Sequence, residues 1–173
     1  MLKRKINRLQ DYDYSADGAY FVTICTKNRE KIFWDTVGED IILPQSTNNV
    51  YDVGEDIILP QPLLSQLGKI VEDAIIAIPE HYQNVRLLDY VVMPNHVHMI
   101  LLFSGDIGRM ISSPTKSLST IVGQFKRSAS KAAGVPLWQR SFYDHVIRDE
   151  KDYLKIAEYI ATNPIKWADD CYY

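Results

Sequence analysis

Cysteine is scarce. Cys25 and Cys171 are the two in 173 residues, too few for a disulfide scaffold. Cys25 falls in an apolar run and reads as a buried thiol. No apolar run approaches the roughly 20 residues that cross a bilayer. The start, MLKRKINRLQ, is basic but has no apolar signal core, so a cytosolic protein with no membrane partner is expected. A Walker-type Gly-rich loop is absent, which argues against chemistry driven by nucleotide hydrolysis. Neither sign of charge dominates: 19 Lys and Arg oppose 22 Asp and Glu, for a net charge of −3. That excludes nucleic-acid binding by bulk positive charge and leaves only binding by a patch.

Patches are present. Lys3, Arg4, Lys5 and Arg8 cluster with no acid among them, as do Lys116, Lys126, Arg127 and Lys131 within residues 114–134. Acids gather elsewhere, at Glu39, Asp40, Glu55 and Asp56. This segregation fits a DNA-facing side and an opposite acidic side, and equally fits charged faces that are merely solvated. The four central acids belong to a duplication: VGEDIILPQ stands at 37–45 and recurs unchanged at 53–61. Two copies do not make a solenoid. The chain reads as one domain, 1–173, with an inserted duplicated segment at about 35–62. Each IILP is expected as a short strand, with a small hairpin turning near 46–49, and no chemistry is assigned to it.

The remaining pattern alternates. AYFVTICT (19–26) is β-branched and aromatic, a first strand. Leu64, Leu67, Ile70, Val71, Ala74, Ile75 and Ile78 have helical spacing, which predicts one helix over 63–81 ending at Pro79. VRLLDYVV (85–92) and the run from His96 read as a hairpin turning at Met93-Pro94-Asn95. Residues 117–133 form a second helix, with Leu118, Ile121, Val122 and Phe125 inward and Gln124, Arg127 and Lys131 on its polar face; Gly134 and Pro136 end it. A last strand region follows at 137–148. Asp149 then caps a helix over 151–164, stopped by Pro164. The order predicts an α+β fold, a ferredoxin-like βαββαβ antiparallel sheet with an added C-terminal helix crossing its edge or open face.

The stretch MPNHVHMIL (93–101) holds the candidate chemistry. Side chains two apart on a strand leave the same face, so His96 and His98 can share one metal ion. They can equally be buried packing residues. Tyr159 and Asn163 lie four apart on the last helix, hence on one face. A tyrosine beside an amide oxygen, brought to a histidine pair, makes a metal-assisted nucleophile arrangement. Tyr153, six residues from Tyr159, points to another face and reads as packing against the sheet. Asn163 has a second reading as a helix C-cap, and His145 as either an accessory site residue or strand packing.

At these residues the chain resembles the single-tyrosine HUH transposases of small insertion sequences, above all the REP-associated tyrosine transposases. The resemblance rests on AYFVTICTKNR (19–29), His96-Val97-His98 behind its proline-led turn, WQRSFYDHVIRDEKDY (138–153) and EYIATNP (158–164). It implies the same ferredoxin-like fold and a catalytic Tyr159 that becomes linked to a 5′ phosphate, freeing a 3′ hydroxyl. It implies Mg²⁺ or Mn²⁺ held by His96, His98 and Asn163. The implied partner is single-stranded DNA carrying a hairpin or palindrome, bound by a monomer or a homodimer. Trp138, Gln139, Arg140 and Arg148 match a family segment near DNA, and with Arg127 and Lys131 they are the candidate DNA contacts.

Three functions fit these residues: a metal-dependent single-strand DNA transposase or endonuclease using Tyr159, a ferredoxin-like nucleic-acid binder without cleavage, and a metal phosphodiesterase using activated water.

Overall fold

The computed structural model describes residues 12–37, 40–41, 63–105 and 116–167. The basic N-terminal cluster, the second copy of the duplication and the 46–49 turn lie outside the described residues. In chain order the elements are β1 (Gly18–Cys25), a 3-10 turn (Lys27–Arg29), β2 (Thr36–Val37), β3 (Asp40–Ile41), α1 (Gln66–Ile76), α2 (Ile78–His81), β4 (Val85–Met93), β5 (His96–Phe103), α3 (Leu118–Ala133), β6 (Tyr143–Ile147) and α4 (Glu150–Thr162). β2 and β3 pair as a two-residue antiparallel ladder at the first copy of the duplication.

The other four strands form one antiparallel sheet in the order β4-β5-β1-β6. Numbered among themselves, they run second, third, first, fourth, and two crossovers carry α1 and α3. This is the expected ferredoxin-like α+β arrangement. Its faces follow from the period of two. Tyr20, Val22 and Ile24 of β1 are fully buried on the side of α1, where Tyr90 of β4 donates from its hydroxyl to Glu72 (3.1 Å). Phe21 and Thr23 point the other way, under α4. With both faces covered, β5 (HVHMILLF) is apolar or buried along nearly its whole length instead of alternating.

α4 therefore crosses the open face. Tyr153 packs against the core and its hydroxyl donates to Asp89 Oδ2 on β4 (2.9 Å), as its offset from Tyr159 predicts. Asp149 caps the helix by accepting from Asp152 N (2.8 Å). At the end of α3, Gly134 takes the left-handed conformation (φ 70°) that lets a C-cap turn the chain without a Cβ clash.

Three expectations are corrected. The single helix over 63–81 is two helices. Ser65 starts α1 by accepting from Gly68 N (3.1 Å) while donating to Ile32 O (2.7 Å). Leu64 is left outside, in a backbone bridge with Trp34. Pro79, which has no N–H for a carbonyl four residues back, sits in the first turn of α2 rather than at a helix end. The last strand is shorter than 137–148, because Lys126 Nζ draws the carbonyls of Gln139, Arg140 and Ser141 toward α3 and out of the ladder. Cys25 is only half-buried, not the buried thiol expected.

Gly68 shows how tightly α1 meets the chain leaving β1. A Cβ there would stand 2.1 Å from the Phe33 carbonyl oxygen, well inside van der Waals contact. Alanine favours a helix by about 1 kcal/mol over glycine, but overpacking costs about 1–3 kcal/mol, and the obstacle here is backbone. Gly68→Ala is expected to lower the midpoint of thermal unfolding by several degrees; an unchanged or higher midpoint would show that the Phe33 segment yields freely.

Candidate active site

The β4–β5 turn puts the histidines where α4 ends. Asn95 is buried, and its carbonyl accepts from Thr26 N (2.8 Å) and Thr26 Oγ1 (3.0 Å). Pro94 O accepts from Ile32 N and Phe33 N (2.9 and 3.0 Å). The turn is thus pinned to the chain leaving β1, so the first residues of β5 cannot slip in register.

His96 and His98 are almost completely buried, with their Nε2 atoms 2.9 Å apart. The outer nitrogen of each ring is held. His96 Nδ1 lies 2.8 Å from Asn95 Oδ1; an amide oxygen only accepts, so Nδ1 carries the proton and Nε2 keeps its lone pair. His98 Nδ1 lies 2.8 Å from Thr23 Oγ1, its cross-strand partner on β1. A hydroxyl either gives or takes. If it gives, His98 Nε2–H donates to His96 Nε2. If it takes, two lone pairs face each other and call for a cation between them. Burial first, and then the neighbouring His96, hold the His98 pKa well below the usual imidazole value, so at neutral pH the ring is uncharged, the form that binds metal.

α4 delivers the rest. Tyr159 is 40% exposed. Its hydroxyl lies 3.3 Å from His98 Nε2, and its ring stands edge-on to His98 (centroids 5.2 Å) and Phe21 (6.3 Å). One turn on, Asn163 is the C-cap of α4 and is buried. Its Nδ2 has no hydrogen-bond partner among the described residues, costly for a buried amide unless a group outside them meets it. Trp167 covers His96 (centroids 6.0 Å), and Lys31 lies over the Trp167 ring. Among the described residues no group of three or more His, Cys, Asp or Glu side chains could hold a metal, so within them a third protein ligand beside the histidines would be of another residue type. Two nitrogens 2.9 Å apart both fall within reach of one ion bonded at about 2.1 Å, and Asn163, one turn beyond Tyr159 on the same helix, carries an amide oxygen. The donor set fits a divalent ion.

Other candidates lie elsewhere. Arg127, Gln139 and Arg140 line a groove beside α3, on the far face of the sheet. Lys131 is exposed on α3 outside it, and Arg148 is exposed between β6 and α4. His145 neither completes the site nor fills the core: its Nε2 pairs with Asp152 Oδ2 (2.8 Å), tying β6 to the first turn of α4. That hydrogen bond is the main reason the Asp152 carboxyl titrates below its usual range. The sequence reading missed Thr23 and Asn95, which orient the two imidazoles. Asn95 adjoins the motif in sequence, but Thr23 is 75 residues from His98, and only strand pairing brings it there.

No family model matches the chain. An uncharacterized protein of Haemophilus influenzae is 31% identical over 188 aligned positions, covering 98% of this chain and 93% of that protein. A REP-associated tyrosine transposase of Escherichia coli is 34% identical over 106 positions, covering 60% of this chain and 58% of the relative; the chain thus aligns with little more than half of that protein. Among solved structures, a REP-associated tyrosine transposase bound to a REP hairpin superposes with a TM-score of 0.59 at 20% identity, covering 92% of this chain and 73% of that one, a likeness of fold. Among the described residues no helix is long and apolar enough to cross a membrane. Over part of its length the chain is similar in sequence to a REP-associated tyrosine transposase, and over most of its length it shares the fold of one.

Proposed function

We propose that the protein cleaves and rejoins single-stranded DNA through a covalent bond between Tyr159 and a 5′ phosphate, as a metal-dependent transposase. The observation that carries this reading is the position of the Tyr159 hydroxyl, 3.3 Å from the Nε2 of a buried histidine pair that can bind metal. The hairpin held by the structural relative supports DNA as the partner, and a strand carrying a hairpin is the proposed substrate.

His96, His98 and Asn163 would hold the ion. A bound divalent cation supplies Lewis acidity, polarising a phosphate and stabilising a leaving oxygen. The chain does the rest. Tyr159 Oη forms the bond to phosphorus while the bond from phosphorus to the 3′ oxygen breaks. The phenol proton leaves to water, to which the half-exposed ring is open, and the 3′ oxygen takes up a proton to become a hydroxyl. One phosphodiester is exchanged for another, so a later hydroxyl can reverse the step without nucleotide hydrolysis. The test is covalent capture: labelled single-stranded DNA with Mn²⁺, denaturing electrophoresis, and peptide mapping of the adduct.

Thr23 gives a separate check on the ion. Outer-shell partners of ligating histidines typically contribute about 10–100-fold to metal affinity. Thr23→Val leaves His98 Nδ1 without its partner and is expected to weaken Mn²⁺ binding by about that factor, measured by titration calorimetry, with the fold retained. Unchanged affinity would mean that the hydroxyl does not orient the ligand.

A further inference from the structure

On the face of the sheet away from Tyr159, α3 and residues 136–142 enclose a groove of about 520 Å³. That lies inside the range of about 300–1,000 Å³ that takes a small organic ligand. One wall is a stripe of α3 that includes Gly123 and Arg127; the other is Trp138, Gln139, Arg140 and Phe142. No acid lines it, and none occurs in sequence from Lys116 to Tyr143. Neither Arg127 nor Arg140 makes an ion pair among the described residues. Lys126, by contrast, is spent on the carbonyls of residues 139–141, which hold this wall in place. Aromatic surface with two uncommitted guanidinium groups suits a ligand that is flat at one end and anionic at the other.

The groove also lies at the same end of the sheet as the histidine pair. Trp138 bridges Thr26, Gln139 N donates to Cys25 O (3.0 Å), and Cys25 stands opposite His96 in the β1–β5 register. A strand passing over this end of the sheet reaches both faces.

We propose that the groove holds one unpaired nucleotide of single-stranded DNA, with its base against Trp138 and Phe142 and its phosphate on Arg127 and Arg140, as an anchor separate from the cleavage centre. The site rests on the reading that single-stranded DNA is the substrate. Aromatic side chains and cations together are the usual way to hold a splayed-out base, and duplex DNA, whose bases stay stacked, cannot offer one.

Two variants test it. Arg127→Ala with Arg140→Ala removes the phosphate contacts. Gly123→Leu fills the groove without disturbing α3, since a Cβ at Gly123 meets nothing nearer than Arg127 Nη1 at 3.7 Å. The probes are a fluorescein-labelled 20-nucleotide single strand of mixed sequence and the matching duplex, followed by anisotropy with the full chain in chelator. Both variants should keep the parent melting temperature and bind the single strand at least tenfold more weakly. The double variant should also lose about 0.7 from the slope of log affinity against log salt, the share of one phosphate. A strand carrying 4-thiothymidine should photocrosslink to residues 138–142 in the parent and not in Gly123→Leu. If the parent binds the strand and forms the Tyr159 adduct while both variants bind normally, the groove proposal fails and the cleavage reading stands. Equal losses for strand and duplex would also overturn the groove as a base site. A parent that neither binds single-stranded DNA nor forms an adduct overturns both.

Discussion

Tyr159→Phe is expected to fold, bind Mn²⁺ and bind single-stranded DNA with parental affinity, and to form no covalent adduct. Phenylalanine keeps the ring contacts with His98 and Phe21 and removes only the hydroxyl that lies 3.3 Å from His98 Nε2. That hydrogen bond is long and half-exposed, so its loss should change stability by no more than about 1 kcal/mol. Loss of a nucleophile should instead lower adduct formation by on the order of 10³-fold or more. Tyr153→Phe is the control on the same helix. It gives up the bond to Asp89, at about 0.5–1.5 kcal/mol, and should keep the adduct. An adduct mapped to Tyr153 would overturn the assignment, and strand cleavage persisting in Tyr159→Phe would favour a water nucleophile.

Replacing both His96 and His98 by alanine should abolish Mn²⁺ binding and the adduct together. The rings are buried and their Nε2 atoms converge, so no surface side chain can substitute for them. Two missing buried rings leave a cavity. His98→Gln, which keeps most of the volume, therefore accompanies the double variant, with thermal unfolding followed for each. An adduct formed at the parent rate by the double variant in chelator would remove metal from the mechanism. Acid should act on the same pair in the parent. The folded His98 pKa is lowered, so the unfolded chain takes up a proton at this position near pH 6.5 while the folded chain resists until well below. The stabilisation is therefore complete above about pH 6.5 and is lost as pH falls beneath it. In chelator, the unfolding midpoint of the parent should drop over this window more steeply than that of His98→Gln.

By itself the sequence determined what local rules govern. The period of two put His96 and His98 on one face, and a spacing of four put Tyr159 and Asn163 together at the end of α4. Asp149 and Gly134 were legible as caps because capping depends on the chain's own neighbouring amides and carbonyls. Strand and helix order sufficed for the ferredoxin-like sheet, since few topologies accommodate that order. What reached across the sequence was not legible. The start of α1 at Gln66, later than the apolar spacing suggests, follows from Ser65 donating to the carbonyl of Ile32, 33 residues away. The early end of the last strand follows from Lys126 drawing carbonyls 13 to 15 residues on. Only the tertiary structure decided that Thr23 and Asn95 orient the imidazoles, that His145 anchors α4, and that Arg127 and Arg140 share a groove behind the sheet while Lys131 and Arg148 stand apart. Side-chain hydrogen bonds between distant segments leave no periodicity in the sequence; they exist only once the sheet has brought those segments within about 3 Å of each other.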